Sequence, residues 1–261
     1  MFAERTVDRT FLGVSTLMFA GSAAVTVVWC ASMSSTDGME MPGGWTMSMA
    51  WMRMPGQSWP GATAAFLGMW LAMMVAMMLP SLLPMLRRYR QAVGGADAAR
   101  LGRLTALVAA SYFLVWTATG LAAYPLGLAL ASATMRLPAI SRAVPPAAAV
   151  VILLAGALQF TAWKARQLAC CRSAPRHLAP NAATAWRHGI NLGADCVRCC
   201  LGQTAMLLVI GVMDLRAMAV VTAAVTAERL APAGERVARA IGAFMVVIGL
   251  LLLVQAVISA A

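Results

Sequence analysis

The sequence predicts an all-α integral membrane protein with about six transmembrane helices in a single membrane domain, residues 1–261. The first observation is composition, because 61% of the 261 residues are hydrophobic and only 11% are charged, whereas a soluble domain carries about 25% charged residues. The second is that the charges fall in short runs between long apolar stretches, and a helix crosses a bilayer with about 20 mostly apolar residues. So few charged side chains cannot coat a soluble domain of this size.

Five charge-free stretches are each long enough for one helix. They cover residues 10–36, 54–86, 104–135, 143–163 and 240–261. A sixth apolar stretch, residues 199–227, is interrupted only by Asp214 and Arg216, and we interpret it as one span with a polar interruption. The alternative is a pair of half-helices that meet near Gly211–Asp214, which a membrane tolerates where the break is buried in protein or lines a cavity.

The basic residues predict the orientation, because Lys and Arg are retained on the cytoplasmic side of a membrane. With six spans and the N-terminus inside, thirteen basic residues fall on inner segments and six on outer ones. The outer six are Arg53, Arg136, Arg142, Arg229, Arg236 and Arg239. We therefore expect an N-in, C-in, multi-pass protein of the bacterial inner membrane, with a basic inner loop over residues 87–103 and a Cys-rich inner segment over residues 164–200. The net charge of +11 does not indicate nucleic acid, because the basic residues form no stripe with interleaved aromatic residues.

The outer loop between the first two spans, residues 33–60, is rich in Met-x-Met pairs. They are Met39 with Met41, Met47 with Met49, and Met52 with Met54. Residues two apart in an extended chain point the same way, so each pair can present two thioethers to one soft ion. Methionines exposed to water have little other reason to be there, so we expect metal binding in this loop. Contact with the membrane interface is the alternative.

The second helix carries a methionine stripe. Met69, Met73 and Met77 recur every four residues, with Met74 and Met78 beside them. Four-residue spacing places side chains along one helical face, so the stripe could lead a soft ion inward from the loop as a ladder of ligands. The alternative is ordinary packing, because Met is a flexible apolar filler.

Five of the six cysteines lie within a short stretch at the inner end of the predicted bundle. They are Cys170, Cys171, Cys196, Cys199 and Cys200. If the fifth helix begins near residue 194, the last three share one helical face and could bind one soft ion, with one of the first pair as a fourth sulfur. Cu(I) accepts two or three thiolates, whereas zinc needs a closed tetrahedral set that could include His177 or His188. Thiol redox chemistry and inert structural thiols are further alternatives.

Several segments together resemble a bacterial family of predicted metal-binding integral membrane proteins that carry a domain of unknown function. The similar segments are Trp70–Ser81 with Pro84, Tyr112–Trp116, Gln159–Cys171, His188–Gly189, Cys196–Cys200, Gly211–Leu215 and Glu228–Arg229. The resemblance covers roughly residues 61–232 and implies metal handling without a mechanism, and some members look like copper-associated proteins. Asp214 stands where the family pattern favours Asn, and the methionine-rich outer loop is not a regular family feature.

These features predict a membrane protein that handles Cu(I), collecting it at the outer thioethers, passing it along the methionine stripe, and receiving it or handing it on at the cysteines. The alternative is a structural or regulatory membrane subunit with a zinc or thiol-redox site at the inner face. We do not expect an enzyme, because the sequence shows no nucleophile with its base, no paired carboxylates and no phosphate loop. The expected partners are the lipid bilayer, the metal ion, and a copper chaperone or membrane complex, and not nucleic acid.

Overall fold

A computed structural model describes residues 2–34, 39–48, 51–52, 56–93, 97–173 and 178–258, as backbone only at 2–8 and 33–34. This part of the chain contains eight helices and one short antiparallel hairpin. The helices are α1 (Phe2–Ser34), α2 (Trp59–Ala92), α3 (Ala98–Arg136), α4 (Pro138–Leu158), α5 (Ala162–Arg172), α6 (Ala182–Ile210), α7 (Leu215–Leu230) and α8 (Gly234–Ile258). The hairpin strands are β1 (Met39–Met41) and β2 (Trp45–Met47).

The structure confirms that the protein is all-helical apart from this hairpin. Six helices, α1, α2, α3, α4, α6 and α8, are long and apolar enough to cross a membrane. Large apolar side chains also point away from the bundle along several of them, including Leu126 and Leu154. These features indicate that the protein associates with a membrane.

The apolar stretch 199–227 is not the single continuous span that we interpreted. α6 ends before Gly211, which adopts φ +142°, a backbone conformation that favours glycine. Asp214 then caps α7, because its carboxylate accepts hydrogen bonds from the backbone N–H groups of Arg216 and Ala217 at 2.8 and 3.0 Å. A side-chain acceptor at this position stabilises the start of a helix, so the alternative with two separate helices is the observed one.

α6 also begins earlier than the sequence suggests. The Asn181 side chain accepts a hydrogen bond from the N–H of Thr184 at 2.8 Å, so the helix begins at Ala182 rather than near residue 194. Cys196 therefore lies near the middle of α6 instead of in its first turn. The segment 164–200 includes most of α5 and the first two thirds of α6, and the basic segment 87–103 likewise includes the end of α2 and the start of α3.

The helix directions do not fit the predicted N-in, C-in arrangement. The pairs α1–α2, α2–α3, α4–α6 and α4–α8 are antiparallel, whereas α3 and α6 run parallel. At the α4–α8 contact, for example, Gly242 packs against Gln159 and Gly249 against Leu153. α1 and α8 therefore point the same way, and the start of α1 and the end of α8 lie at opposite ends of the bundle. The reason is α7, which runs back along α6 after the break at Gly211, so that Glu228 near its end contacts Gln203 of α6.

α2, α3 and α6 enclose the centre of the bundle. Trp70 of α2 is buried, and its indole N–H donates a hydrogen bond to the carbonyl of Trp116 on α3 at 2.9 Å. α6 crosses α3 closely at Gly189, where any side chain would collide with the hydroxyl of Ser111. This close approach holds the face of α6 that carries Cys196 against the other two helices.

Candidate metal centre

Four of the five clustered cysteines converge inside the bundle. Cys196, Cys199 and Cys200 share one face of α6, Cys171 reaches them from α5, and all four are buried. The Sγ atoms of Cys196 and Cys200 lie 3.9 Å apart. Cys171 contacts Cys199, and its thiol donates a hydrogen bond to the carbonyl of Asp195 at 3.1 Å. We call these four cysteines the cysteine centre.

Two other predicted candidates do not join it. Cys170 is exposed on α5, because neighbouring residues on a helix point in different directions. His188 stacks on the ring of Tyr89, with the ring centroids 5.4 Å apart. His177 lies outside the described residues. The described part of the chain therefore does not assemble the zinc set that included a histidine.

The sulfur of Cys196 accepts two hydrogen bonds from buried groups. The hydroxyl of Tyr112 donates at 2.9 Å and the guanidinium of Arg229 at 3.2 Å. Arg229 also donates to the hydroxyl of Ser81 at 2.9 Å, and it is only 2% exposed. Nearby positive charge and hydrogen-bond donors favour a thiolate over a thiol. The surroundings of Cys196 thus favour the form of sulfur that binds metal ions.

A buried ion pair holds the helices together next to Cys199. Lys164 Nζ lies 2.7 Å from a carboxylate oxygen of Glu228 and donates to the carbonyl of Cys199 at 2.7 Å. The amides of Gln159 and Gln203 donate to the other carboxylate oxygen at 3.0 and 2.8 Å. Burial opposes the charge on Lys164, but Cys199 and Glu228 outweigh it, so the pKa of Lys164 is raised above its ordinary value. This network ties α5, α6 and α7 around the cysteine centre.

Reasoning from the sequence missed the buried charges of this network. Lys164 and Arg229 enter it as orientation signals and as members of the segments that carry the family resemblance, with no role at the cysteines. Arg229 is also counted among the outer residues, whereas the structure places both residues beside cysteines. One signal was present, since Glu228 and Arg229 are adjacent charges at the end of an apolar stretch. Charged side chains inside a membrane bundle are costly and usually face its interior with a partner.

The spacing of Cys196 and Cys200 suits a single soft ion. Two sulfurs about 2.3 Å from one ion and 3.9 Å apart subtend an angle of about 116° at the ion, close to trigonal geometry. Met78 Sδ lies 4.0 Å from Cys196 Sγ and is positioned to supply a third soft ligand. The described residues contain no group of three or more His, Cys, Asp or Glu side chains arranged to hold a metal ion. Among the described residues, two thiols with a thioether beside them are therefore the sulfur atoms whose separations match those needed around one soft ion.

The methionine stripe of α2 is buried in the centre of the bundle. It consists of Met69, Met73, Met74, Met77 and Met78, each no more than 5% exposed. The whole stripe belongs to the same apolar cluster as the cysteine centre. Burial agrees with packing as well as with a ladder of ligands. The contact between Met78 and Cys196 is the feature that packing alone does not require.

The outer methionines form a hairpin rather than an open loop. Met39 lies opposite Met47, and Met41 lies opposite Trp45. Met41 and Met47 are buried against α3, while Met39 is 44% exposed. The expectation that these methionines face water therefore holds for Met39 and is wrong for Met41 and Met47. Met49 lies outside the described residues.

The hairpin is anchored at the start of α4. The indole N–H of Trp45 donates to the carbonyl of Ser141 at 3.0 Å, and the hydroxyl of Ser141 donates to the carbonyl of Pro42 at 2.7 Å. Alternate residues of a strand and directly opposite residues of a hairpin share one face. The side chains of Met39, Met41 and Met47 therefore lie on one face of the hairpin. We call strands β1 and β2, with these three residues, the methionine hairpin.

A helical bundle with six helices of membrane length and a buried cluster of cysteine and methionine side chains defines a membrane-associated protein whose interior carries sulfur groups of the kind that soft metal ions prefer. The family model described as PpoB2, copper chaperone, matches residues 67–252. The chain therefore belongs to the PpoB2 family of copper chaperones. No curated protein and no solved structure matches it.

The family confirms the copper-related part of the expectation and favours a non-catalytic role. The matched residues begin in α2 and include the methionine stripe, the cysteine centre and Arg229. The methionine hairpin lies before them.

Proposed function

We propose that this protein is a multi-pass membrane copper chaperone that holds Cu(I) between Cys196 and Cys200. The observation that carries the proposal is the 3.9 Å separation of these two buried sulfurs, with Met78 beside them. Thiolates and thioethers are soft ligands that select Cu(I). The alternative of a zinc site has less support, because the described residues contain no group of three or more His, Cys, Asp or Glu side chains arranged to hold a metal ion.

The methionine stripe is the proposed route by which the ion moves between the cysteine centre and the N-terminal end of α2. Each step of four residues advances about 6 Å along a helix, so an ion can move by exchanging one thioether for the next. Met69 begins the series and Met78 delivers the ion to Cys196. The methionine hairpin, with Met39 open to its surroundings, is the proposed point of collection.

Cys170 is the proposed point of exchange with a partner. Its thiol is exposed on α5, directly beside Cys171, which belongs to the cysteine centre. An exposed thiol next to a buried one is placed to take over a soft ion by ligand exchange. The partner would be a copper chaperone or a membrane complex that meets the protein at this end of the bundle.

The orientation proposed for the bacterial inner membrane has the N-terminus inside and the end of α8 outside. When α7 counts as a pass, the basic residues from Arg229 to Arg239 move to the same side as the start of α1. Sixteen of the 20 basic residues then lie toward the inner side, and the remaining four are Arg53, Arg136, Arg142 and Arg216. This asymmetry is stronger than the thirteen against six of the six-span interpretation, and it supports a cysteine centre that opens toward the reducing cytoplasm.

Metal content tests the proposal. The full-length protein purified in detergent is expected to contain copper, and Cys196→Ser with Cys200→Ser is expected to remove it, because serine lacks the soft ligand. Cys170→Ser is the matched control, since it removes an exposed thiol from the same segment and should leave the bound copper in place. Copper that persists in the double variant, or zinc as the metal recovered with the wild type, would contradict the proposal. The zinc outcome would favour a structural or regulatory subunit.

A further inference from the structure

We propose that Tyr112 is a positioning residue of the metal site, whose hydroxyl fixes the orientation in which the Sγ atom of Cys196 meets the ion. This inference rests on the proposed function, because it concerns one of the two sulfur ligands assigned there. It gives α3, which supplies no ligand in the proposed site, a part in binding the ion.

The side chain of Tyr112 is itself held in place by packing. It is completely buried, and its ring meets the ring of Phe113 edge-on with the centroids 5.0 Å apart. α6 lies directly against this part of α3, because a Cβ atom at Gly193 would be 3.0 Å from the carbonyl oxygen of Tyr112. Cys196 is three residues further along α6 and therefore on the same face. Helix packing thus sets the position of the hydroxyl relative to Cys196.

The hydroxyl of Tyr112 is directed at a single sulfur. It donates a hydrogen bond to Sγ of Cys196 at 2.9 Å, and a buried tyrosine hydroxyl generally has such a partner. A cysteine sulfur can accept a hydrogen bond as a thiol and as a thiolate, so the contact does not depend on which form is present. The hydroxyl can therefore hold the sulfur both before and after an ion binds.

The hydrogen bond selects one orientation of the Cys196 side chain. A single torsion angle places Sγ, and it has only a few staggered minima. In the observed orientation Sγ lies 3.9 Å from the sulfur of Cys200 and 4.0 Å from that of Met78. Rotation about this torsion would change both separations and break the bond from Tyr112. Hydrogen bonds that orient metal ligands in this way typically account for about 10–100-fold in metal affinity.

Arg229 supports the same sulfur less directly. Its Nη1 atom donates to Cys196 at 3.2 Å and to the hydroxyl of Ser81 at 2.9 Å, so this donor is divided between two acceptors. Without the hydroxyl of Tyr112, the sulfur would keep only the longer and shared contact. We therefore expect Cys196 to lose its fixed orientation even though Arg229 remains.

The test uses Tyr112→Phe, which removes the hydroxyl and keeps the ring. In chelator competition with the full-length protein in detergent, its Ag(I) affinity should be lower by about ten-fold or more. Tyr89→Phe is the matched control, because Tyr89 is equally buried and its hydroxyl has no hydrogen-bond partner among the described residues. This control should bind Ag(I) like the wild type. In a Cys196→Ser background, Tyr112→Phe should cause no further loss, since the hydroxyl acts through that sulfur.

The near-ultraviolet charge-transfer band of the Cu(I)-loaded protein gives a readout that a purely structural role would not move. A hydrogen bond lowers the energy of the sulfur lone-pair electrons, so its removal in Tyr112→Phe should shift the band to longer wavelength. Fluorotyrosine incorporated at all three tyrosines is a stronger donor and should shift the band to shorter wavelength. This second measurement leaves the rest of the wild-type chain intact, so it serves should Tyr112→Phe fail to fold.

An Ag(I) affinity of Tyr112→Phe equal to that of Tyr89→Phe would overturn the inference. So would an equal loss in the Cys196→Ser background, or a band that neither change moves. Failure of the wild type to bind Ag(I), or binding that survives Cys196→Ser with Cys200→Ser, would instead count against the proposed function. The two failures are therefore distinguishable.

Discussion

The methionine hairpin and the cysteine centre are both rich in sulfur, but different groups surround the sulfur atoms. In the hairpin, Met41 and Met47 contact Ala131 of α3 and neighbouring apolar side chains. In the cysteine centre, Tyr112 and Arg229 donate hydrogen bonds to a single sulfur. A buried charge destabilises a fold unless it is compensated, so its presence beside a cysteine is a stronger sign of function than a high density of methionine.

The extent of the family match separates the same two regions. Residues 67–252 match the copper chaperone family, and they include every residue of the cysteine centre and the charged network around it. The methionine hairpin lies outside the match. The family match therefore supports the role proposed for the cysteine centre and adds no support to the role proposed for the hairpin.

The largest expected effect comes from the charges around the cysteine centre. Lys164→Met leaves Glu228 buried without its cation and should lower the free energy of unfolding by about 3–5 kcal/mol, measured by denaturant unfolding in detergent. Asp195→Asn breaks the exposed pair with Arg198 and should cost only about 0–1 kcal/mol. Similar losses in the two variants would show that the buried network does not hold the cysteine centre together.

A smaller effect is expected at Met78 of the methionine stripe. It distinguishes a residue that binds the metal ion from one that only packs. Met78→Leu preserves the approximate volume but removes the sulfur that lies 4.0 Å from Cys196, so Ag(I) affinity should fall a few-fold in chelator competition. Met74→Leu, one turn earlier and equally buried, is the control and should leave the affinity unchanged. Equal affinities in the two variants would make the stripe ordinary packing.

Much of the fold follows from the sequence because its signals are local. Charge-free stretches locate five of the six long helices, α6 being the exception, and four-residue spacing correctly places the methionines along α2. The break at Gly211 was weighed but not preferred, since a glycine and one Asp214 do not reveal that a carboxylate will cap a new helix. Without that break α7 is not recognised as a separate helix that reverses the direction of the chain, so the direction of α8 relative to α1 does not follow from the sequence.

The composition of the cysteine centre was predictable only in part. The i, i+3, i+4 spacing of Cys196, Cys199 and Cys200 was sufficient to place them together on a helix. Their charged neighbours come from α5 and α7, which are distant in sequence, and no local pattern shows that Arg229 returns to the level of Cys196. Contacts of this kind depend on helix direction, which periodicity does not encode.

The smallest effect on the cysteine centre is expected from the methionine hairpin. Replacing Met39, Met41 and Met47 together by Leu keeps the apolar packing, and each such exchange should cost less than about 1.5 kcal/mol of stability. Ag(I) affinity of the purified protein should not change, because these thioethers precede the route to the cysteines, whereas copper uptake by cells that express the variant should fall. An affinity loss as large as that of Met78→Leu would place the hairpin within the same binding site as the cysteines. Unchanged uptake would instead leave the hairpin as a structural cap on α3 and α4, because its thioethers would then contribute to neither collection nor binding.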